Sequence, residues 1–114
     1  MTTRLSYVIK YVGDMDRAVR FYKDQLGLAL RFQSPEWSEF ETGETTLALH
    51  IASQEHPAGT SQLGFGVPDI NKFYAEKNDN GIEFTAAPTE AFGSLIAKFK
   101  DSEGSECSLS GRDV

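Results

Sequence analysis

Tyr7-Val-Ile-Lys-Tyr-Val-Gly-Asp14, then Ala18-Val-Arg-Phe-Tyr22 and Leu26-Gly27, is the stretch on which the fold turns. Leu5 to Val12 alternates as a strand, with Leu5, Tyr7, Ile9 and Tyr11 on one side and Ser6, Val8, Lys10 and Val12 on the other. Apolar groups on both sides suit a strand covered on both faces. Asp14 is placed to cap a helix, since its carboxylate can accept from the free amides of a first turn. Met15, Ala18, Val19, Tyr22 and Leu26 then recur at helical spacing. Gly27 ends that helix, because glycine takes the left-handed conformation without steric cost. Three strands are expected next, over 28–33, 37–41 and 45–52, with Ser34-Pro35-Glu36 and Thr42-Gly43-Glu44 as the turns.

The pattern then begins again. Val67-Pro68-Asp69 stands 55 residues after Val12-Gly13-Asp14. A strand over 62–67 precedes it, and Ile70, Phe73, Tyr74 and Lys77 continue it as a helix ending near Asn80-Gly81. Strands are expected over 82–86, 94–100 and 106–110, with Asp101-Ser102-Glu103-Gly104 as the last hairpin turn. The order is βαβββ twice, an internal repeat. A half of this size is only marginally stable alone. The expectation is one domain over 1–114, with module one at 4–52 and module two at 60–111. The segment 53–61 joins them, and His56, beside Pro57 within it, is expected to be solvated.

Composition narrows the function. Of 114 residues, 11 are basic and 17 acidic, for a net charge of −6, which argues against a nucleic-acid partner. The one cysteine, Cys107, rules out an intrachain disulfide and a cysteine-rich zinc cluster. Cys107 should point to the helix side of its strand as a small buried hydrophobe. No apolar run resembles a signal peptide or a membrane span, so a soluble cytoplasmic protein without a membrane partner is expected. With only His50 and His56 as histidines, any metal site would have to lean on carboxylates or amides.

The opening motifs, with Phe92-Gly93 and Phe99-Lys-Asp101-Ser-Glu-Gly104 in the second half, resemble the vicinal oxygen chelate superfamily, the group of glyoxalase I, bleomycin-resistance proteins and extradiol dioxygenases. The resemblance implies an α+β fold, two tandem βαβββ modules forming an open cupped eight-stranded mixed sheet with helices on the outside and a cleft within. It also implies a homodimer. Enzymes of the group hold a divalent metal through two first-strand and two late-strand side chains. Carried over, these positions are Tyr7 and Gln62 on the first strands, Ser108 on the last, and Ala48 or, with a two-residue slip, His50. A neutral phenol with a pKa near ~10 is a poor ligand. His50 and Gln62 remain as weak metal candidates, and neither supplies charge. No metal or other cofactor is therefore expected, and no catalytic residue is assigned.

The remaining candidates describe a ligand site. Tyr7 occupies a ligand position on the cleft side, with Ile9 and Tyr11 on the same face. Trp37, the only tryptophan, shares a strand face with Glu39 and Glu41 and could stack on a flat ligand. His50 lies on the apolar strand Leu47-Ala-Leu-His-Ile51, and Phe92 matches an aromatic that closes the cleft in the family. Gln62, Gly64 and Gly66 would leave room on the second wall. Phe21 and Tyr22 should anchor the helix, and Phe32, Phe40, Phe65, Phe84 and Phe99 should fill core or strand-pair positions. The ligand-binding set is Tyr7, Trp37, Glu39, His50, Gln62 and Phe92. The expected function is metal-free binding of an aromatic, in one version cationic, small molecule, of bleomycin-resistance type and hence a role in antibiotic resistance. The alternatives are a glyoxalase-like lyase or isomerase with atypical metal ligands, and an interaction module whose cleft Tyr7, Tyr11 and Trp37 fill.

Overall fold

The computed structural model describes residues 3–91 and 93–112. Its contacts divide the chain into two compact units. One runs from Ser6 to Gln62; the other takes Leu63 onward together with the residues up to Leu5.

The first unit holds β1 (Arg4–Val12), α1 (Met15–Arg20), β2 (Ala29–Gln33), β3 (Trp37–Glu41) and β4 (Thr46–Ile51). Asp14 caps α1 as its sequence position requires, its Oδ1 accepting from the Arg17 amide at 3.1 Å. The helix expected to reach Leu26 does not stay α-helical. Phe21–Gln25 widens into a π-turn, closed by the Leu26 amide donating to the Phe21 carbonyl at 3.0 Å. The wider turn re-phases its side chains. Tyr22 packs on Phe40, ring centres 5.9 Å apart, whereas Phe21 stays 47% exposed and meets Tyr22 edge-on. Tyr22 therefore anchors the helix and Phe21 does not. Gly27 follows at φ 82°, the conformation that favours glycine.

The strand order in this unit is β2-β3-β4-β1. β1 and β4 are parallel, with Tyr7 opposite Thr46, Ile9 opposite Ala48 and Tyr11 opposite His50; β3 runs antiparallel to β4, with Trp37 opposite His50. On one face Met15, Val19, Phe40 and Leu49 form a buried core, with Val12, Tyr22, Leu28, Leu30 and Leu47 against it. On the other, Ile9, Tyr11 and Ala48 are buried beside Tyr7, Trp37 and Ala52. Phe32, expected at a core or strand-pair position, takes the second: it pairs with Glu39 and is 52% exposed. It lies on the edge strand β2 next to a register break between Leu30 and Phe32, and such a break re-aims side chains.

The second unit repeats the plan with β5 (Ser61–Asp69), α2 (Ile70–Ala75), α3 (Lys77–Asn80), β6 (Phe84–Ala91), β7 (Ser94–Lys100) and β8 (Glu106–Arg112), its strands in the order β5-β8-β7-β6. Asp69 Oδ1 accepts from the Lys72 amide at 3.1 Å, the same cap as Asp14 makes. The single helix expected here is broken at Glu76. β6 runs later and longer than its expected 82–86, through Pro88. It is an edge strand with register breaks on both sides of Ala86, where a missing N–H costs little. The core is Val67, Ile70, Ala97 and Leu109, with Phe65, Phe73, Phe84, Leu95 and Phe99 around it. Cys107, two residues from Leu109 on the same strand face, is buried as expected.

The α+β class expected from the sequence is thus observed, with parallel and antiparallel pairing mixed in each four-stranded half. No helix among the described residues is long and apolar enough to cross a membrane.

Candidate ligand-binding site

The strand face of the first unit opposite α1 gathers most of its rings. Alternation puts Tyr7, Ile9 and Tyr11 of β1, Ala48 and His50 of β4, and Trp37 and Glu39 of β3 on this side. Tyr7 and Trp37 stand with ring centres 6.1 Å apart, and Trp37 meets His50 edge-on at 5.9 Å. Tyr11 lies 5.4 Å from His50 and is buried. His56 stacks flat on Tyr11, 4.4 Å away and within 6° of parallel. The connecting loop brings it there. The Gly59 amide donates to the Tyr11 carbonyl, the Tyr11 amide to the Thr60 carbonyl (both 2.9 Å), and Lys10 Nζ to the Gly59 carbonyl at 2.7 Å. His56 is therefore half-buried against a ring, contrary to the expectation of a solvated loop residue.

His50 Nδ1 sits 2.7 Å from the Ile51 carbonyl oxygen. A carbonyl only accepts, so Nδ1 carries a proton, and in the neutral ring Nε2 is the acceptor. Glu39 is fully engaged. Its Oε1 accepts from Arg31 Nε at 3.1 Å and Nη2 at 2.8 Å, and its Oε2 from the Trp37 indole Nε1 at 2.8 Å. Arg31 also reaches Glu41 Oε2 at 3.0 Å and Thr46 Oγ1 at 2.7 Å. Burial, and then the Glu39 carboxylate, push the Tyr7 phenol above its ordinary pKa, with Arg31 opposing. Tyr7 is accordingly a neutral hydrogen-bonding phenol throughout the physiological range.

The six expected ligand-binding residues divide unequally. Tyr7, Trp37, Glu39 and His50 are brought together. Gln62 is buried on β5, and Phe92 lies outside the described residues. Arg31 was missed by sequence reasoning, although a signal was there: an arginine on β2 across a hairpin from Glu39 and Glu41 is a complementary cross-strand set. Two depressions lie elsewhere. One, of about 520 Å³, is lined by Gly13, Asp14, Asp16, Gln33 and Pro35 among others; the other, of about 260 Å³, is lined by Arg4, Gly66, Pro68, Ser94 and Ser110 among others. None of the six expected ligand residues is among those lining either.

The family model described as Glyoxalase/Bleomycin resistance protein/Dioxygenase superfamily matches residues 4–109. The chain belongs to this superfamily. An uncharacterized protein of Bacillus subtilis, YurT, is 32% identical over 111 residues, covering 82% of this chain and 87% of its own. A lactoylglutathione lyase of Haemophilus influenzae is 28% identical over 109 residues, covering 82% and 81%. Among solved structures, methylmalonyl-CoA epimerase from Mycobacterium tuberculosis superposes with a TM-score of 0.78 at 18% identity, over 96% of this chain and 88% of that one. That likeness is one of fold.

Strand register relates the late-strand residues of the two halves to one another. Ala48 pairs with Ile9 in the first unit as Ser108 pairs with Gly64 in the second, and Ile9 and Gly64 are 55 residues apart, the repeat offset. Ala48 is thus the equivalent of Ser108, and His50 the equivalent of Ser110. The four superfamily positions hold a phenol, an alanine, an amide and a serine, which supply no charge and no imidazole. No group of three or more His, Cys, Asp or Glu side chains among the described residues is arranged to hold an ion. This donor set does not fit the superfamily's divalent metal. Cys107 offers no nucleophile either: burial, then Asp101 and Glu106, push its thiol pKa up and keep it protonated.

Proposed function

We propose that the protein is a small-molecule binding member of the superfamily, of bleomycin-resistance type, that holds a planar aromatic ligand against Tyr7, Trp37 and His50. The observation that carries this reading is the fixed indole. Trp37 is half-buried, bonded through Nε1 to Glu39, and flanked by two further rings. A preoriented indole loses little freedom on binding, and ring stacking adds ~0.5–1.5 kcal/mol beyond the area buried. His50 Nε2 and the Tyr7 hydroxyl can supply an acceptor and a donor at the edge of such a ligand. The cationic version of the ligand loses its support, because Glu39 is already compensated by Arg31 and Trp37. The reading carries with it a homodimer in the cytoplasm, which sedimentation and fractionation check.

Because Trp37 is the sole tryptophan, its fluorescence tests the proposal. Titration with a panel of planar compounds should give saturable quenching that Tyr7→Ala and His50→Ala each weaken. No quenching and no thermal shift across the panel would overturn it. The lyase or isomerase alternative is checked by calorimetry on chelator-treated protein. Micromolar binding of nickel, manganese, iron or zinc would favour it over the metal-free reading.

A further inference from the structure

We infer that Arg31 is a positioning and specificity residue: by occupying Glu39 it fixes the Trp37 indole and weakens this face's attraction for cationic planar ligands relative to uncharged ones of the same shape. The inference rests on the stacking proposal for its ligand half, and on the geometry of the unliganded protein for the other.

Glu39 accepts three N–H bonds, two from Arg31 on one oxygen and one from the indole on the other. A carboxylate offers about four acceptor sites, so little capacity is left. The guanidinium is itself anchored from three sides. Nε and Nη2 hold Glu39, Nη1 holds Glu41, and Nη2 also reaches the buried Thr46 hydroxyl. One side chain from the edge strand β2 thereby ties β3 to β4 beneath the indole. The planar fork matters here, because a lysine cannot place separate donors on Glu39, Glu41 and Thr46 at once.

The charge consequence runs against the whole-chain value. A net charge of −6 and a tryptophan bonded to a glutamate would attract a planar cation. Close to the indole, however, the nearer carboxylate is neutralised in place. A cation stacking on Trp37 would meet the guanidinium's one positive charge set against the two carboxylates it holds, Glu39 and Glu41, so the attraction is about halved. A neutral ring of the same outline has no such attraction to lose. Removing Arg31 leaves Glu39 free to pair with a cationic ligand.

Wild type, Arg31→Gln, Arg31→Lys and Glu39→Gln are compared in two measurements. The first, without ligand, is acrylamide quenching of Trp37. Arg31→Gln and Glu39→Gln should each raise the quenching constant by about twofold or more as the indole loosens, and Arg31→Lys should restore only part of the protection. The second is calorimetric binding of acridone, uncharged, and proflavine, a cation on a similar ring frame. The wild-type ratio of the two affinities is the reference. Arg31→Gln should shift the affinity ratio toward proflavine by at least about fivefold, as expected for an uncompensated carboxylate at a partly exposed site. Arg31→Lys should hold the wild-type ratio, because it keeps the charge. An unchanged quenching constant in Arg31→Gln overturns the positioning role. An unchanged ratio in Arg31→Gln overturns the selectivity. If neither probe binds any of the four proteins, the stacking proposal falls and takes the selectivity with it, whereas the quenching result still decides whether Arg31 positions Trp37.

Discussion

The two halves of the chain share their helix-facing side and differ on the other. Asp14 and Asp69 make the same cap at the same distance. Val12 and Met15 in the first half answer to Val67 and Ile70 in the second, each pair packed under its helix. Across the sheet the likeness ends. Where the first half pairs Ile9 with Ala48 and Tyr11 with His50, the second pairs Gly64 with Ser108 and Gly66 with Ser110. A helix must bury its apolar stripe in either half, so that side is held to one pattern. The opposite side carries no such obligation. It is ring-rich in one half and small in the other, and the stacking proposal rests on that difference.

The largest expected effect tests the shared side. Phe40→Ala empties a fully buried site in the first core and should cost ~3–5 kcal/mol in denaturant unfolding. If it costs under ~1 kcal/mol, that core is not what holds the unit. Next comes a contrast between two glycines. A Cβ on Gly111 would lie 2.6 Å from the Val67 carbonyl oxygen and 3.1 Å from Ile70 Cβ, whereas one on Gly13 would meet Ala58 Cβ at 3.7 Å. Gly111→Ala should destabilise by ~2 kcal/mol or more, and Gly13→Ala by less than ~1 kcal/mol. Asp14→Ala and Asp69→Ala should then cost about the same, ~1 kcal/mol each; a clear inequality would break the equivalence of the two caps.

The smallest effect concerns pH. Tyr7 has its pKa raised from 10.0, and Cys107 from 9.0. The unfolded chain therefore releases these protons before the folded protein does. Their stabilising contributions are complete below the ordinary values and are lost as pH rises through the folded ones. The alkaline fall in unfolding midpoint should be shallower in Tyr7→Phe than in wild type, and an unchanged slope would remove Tyr7 from this role.

Much of the fold was legible because its signals are local. Capping aspartates, a stop glycine and strand alternation act within a few residues, and β3 and β7 begin and end where the sequence places them. What was not legible depends on pairing across the chain. The π-turn at Phe21, the exposure of Phe32 and the late start of β6 follow from how edge strands and helix ends pack. The candidate site divides in the same way. Tyr7, Trp37, Glu39 and His50 share a face by simple alternation, and that much could be read. That Arg31 consumes Glu39, that His56 folds back onto Tyr11, and that Ala48 and not His50 is the counterpart of Ser108 depend on register. Register is set by partners that alternation alone does not name.

The central claim is that a planar ligand stacks on Trp37 in the first half of the chain. Its most direct test is the single indole N–H resonance in a proton–nitrogen spectrum, followed as a planar ligand such as acridone is added. The account requires that signal to move saturably, together with the amides of Tyr7 and His50, while those of Ser94 to Lys100 stay in place. An indole signal that does not move under saturating ligand, or shifts confined to the second half, would contradict it.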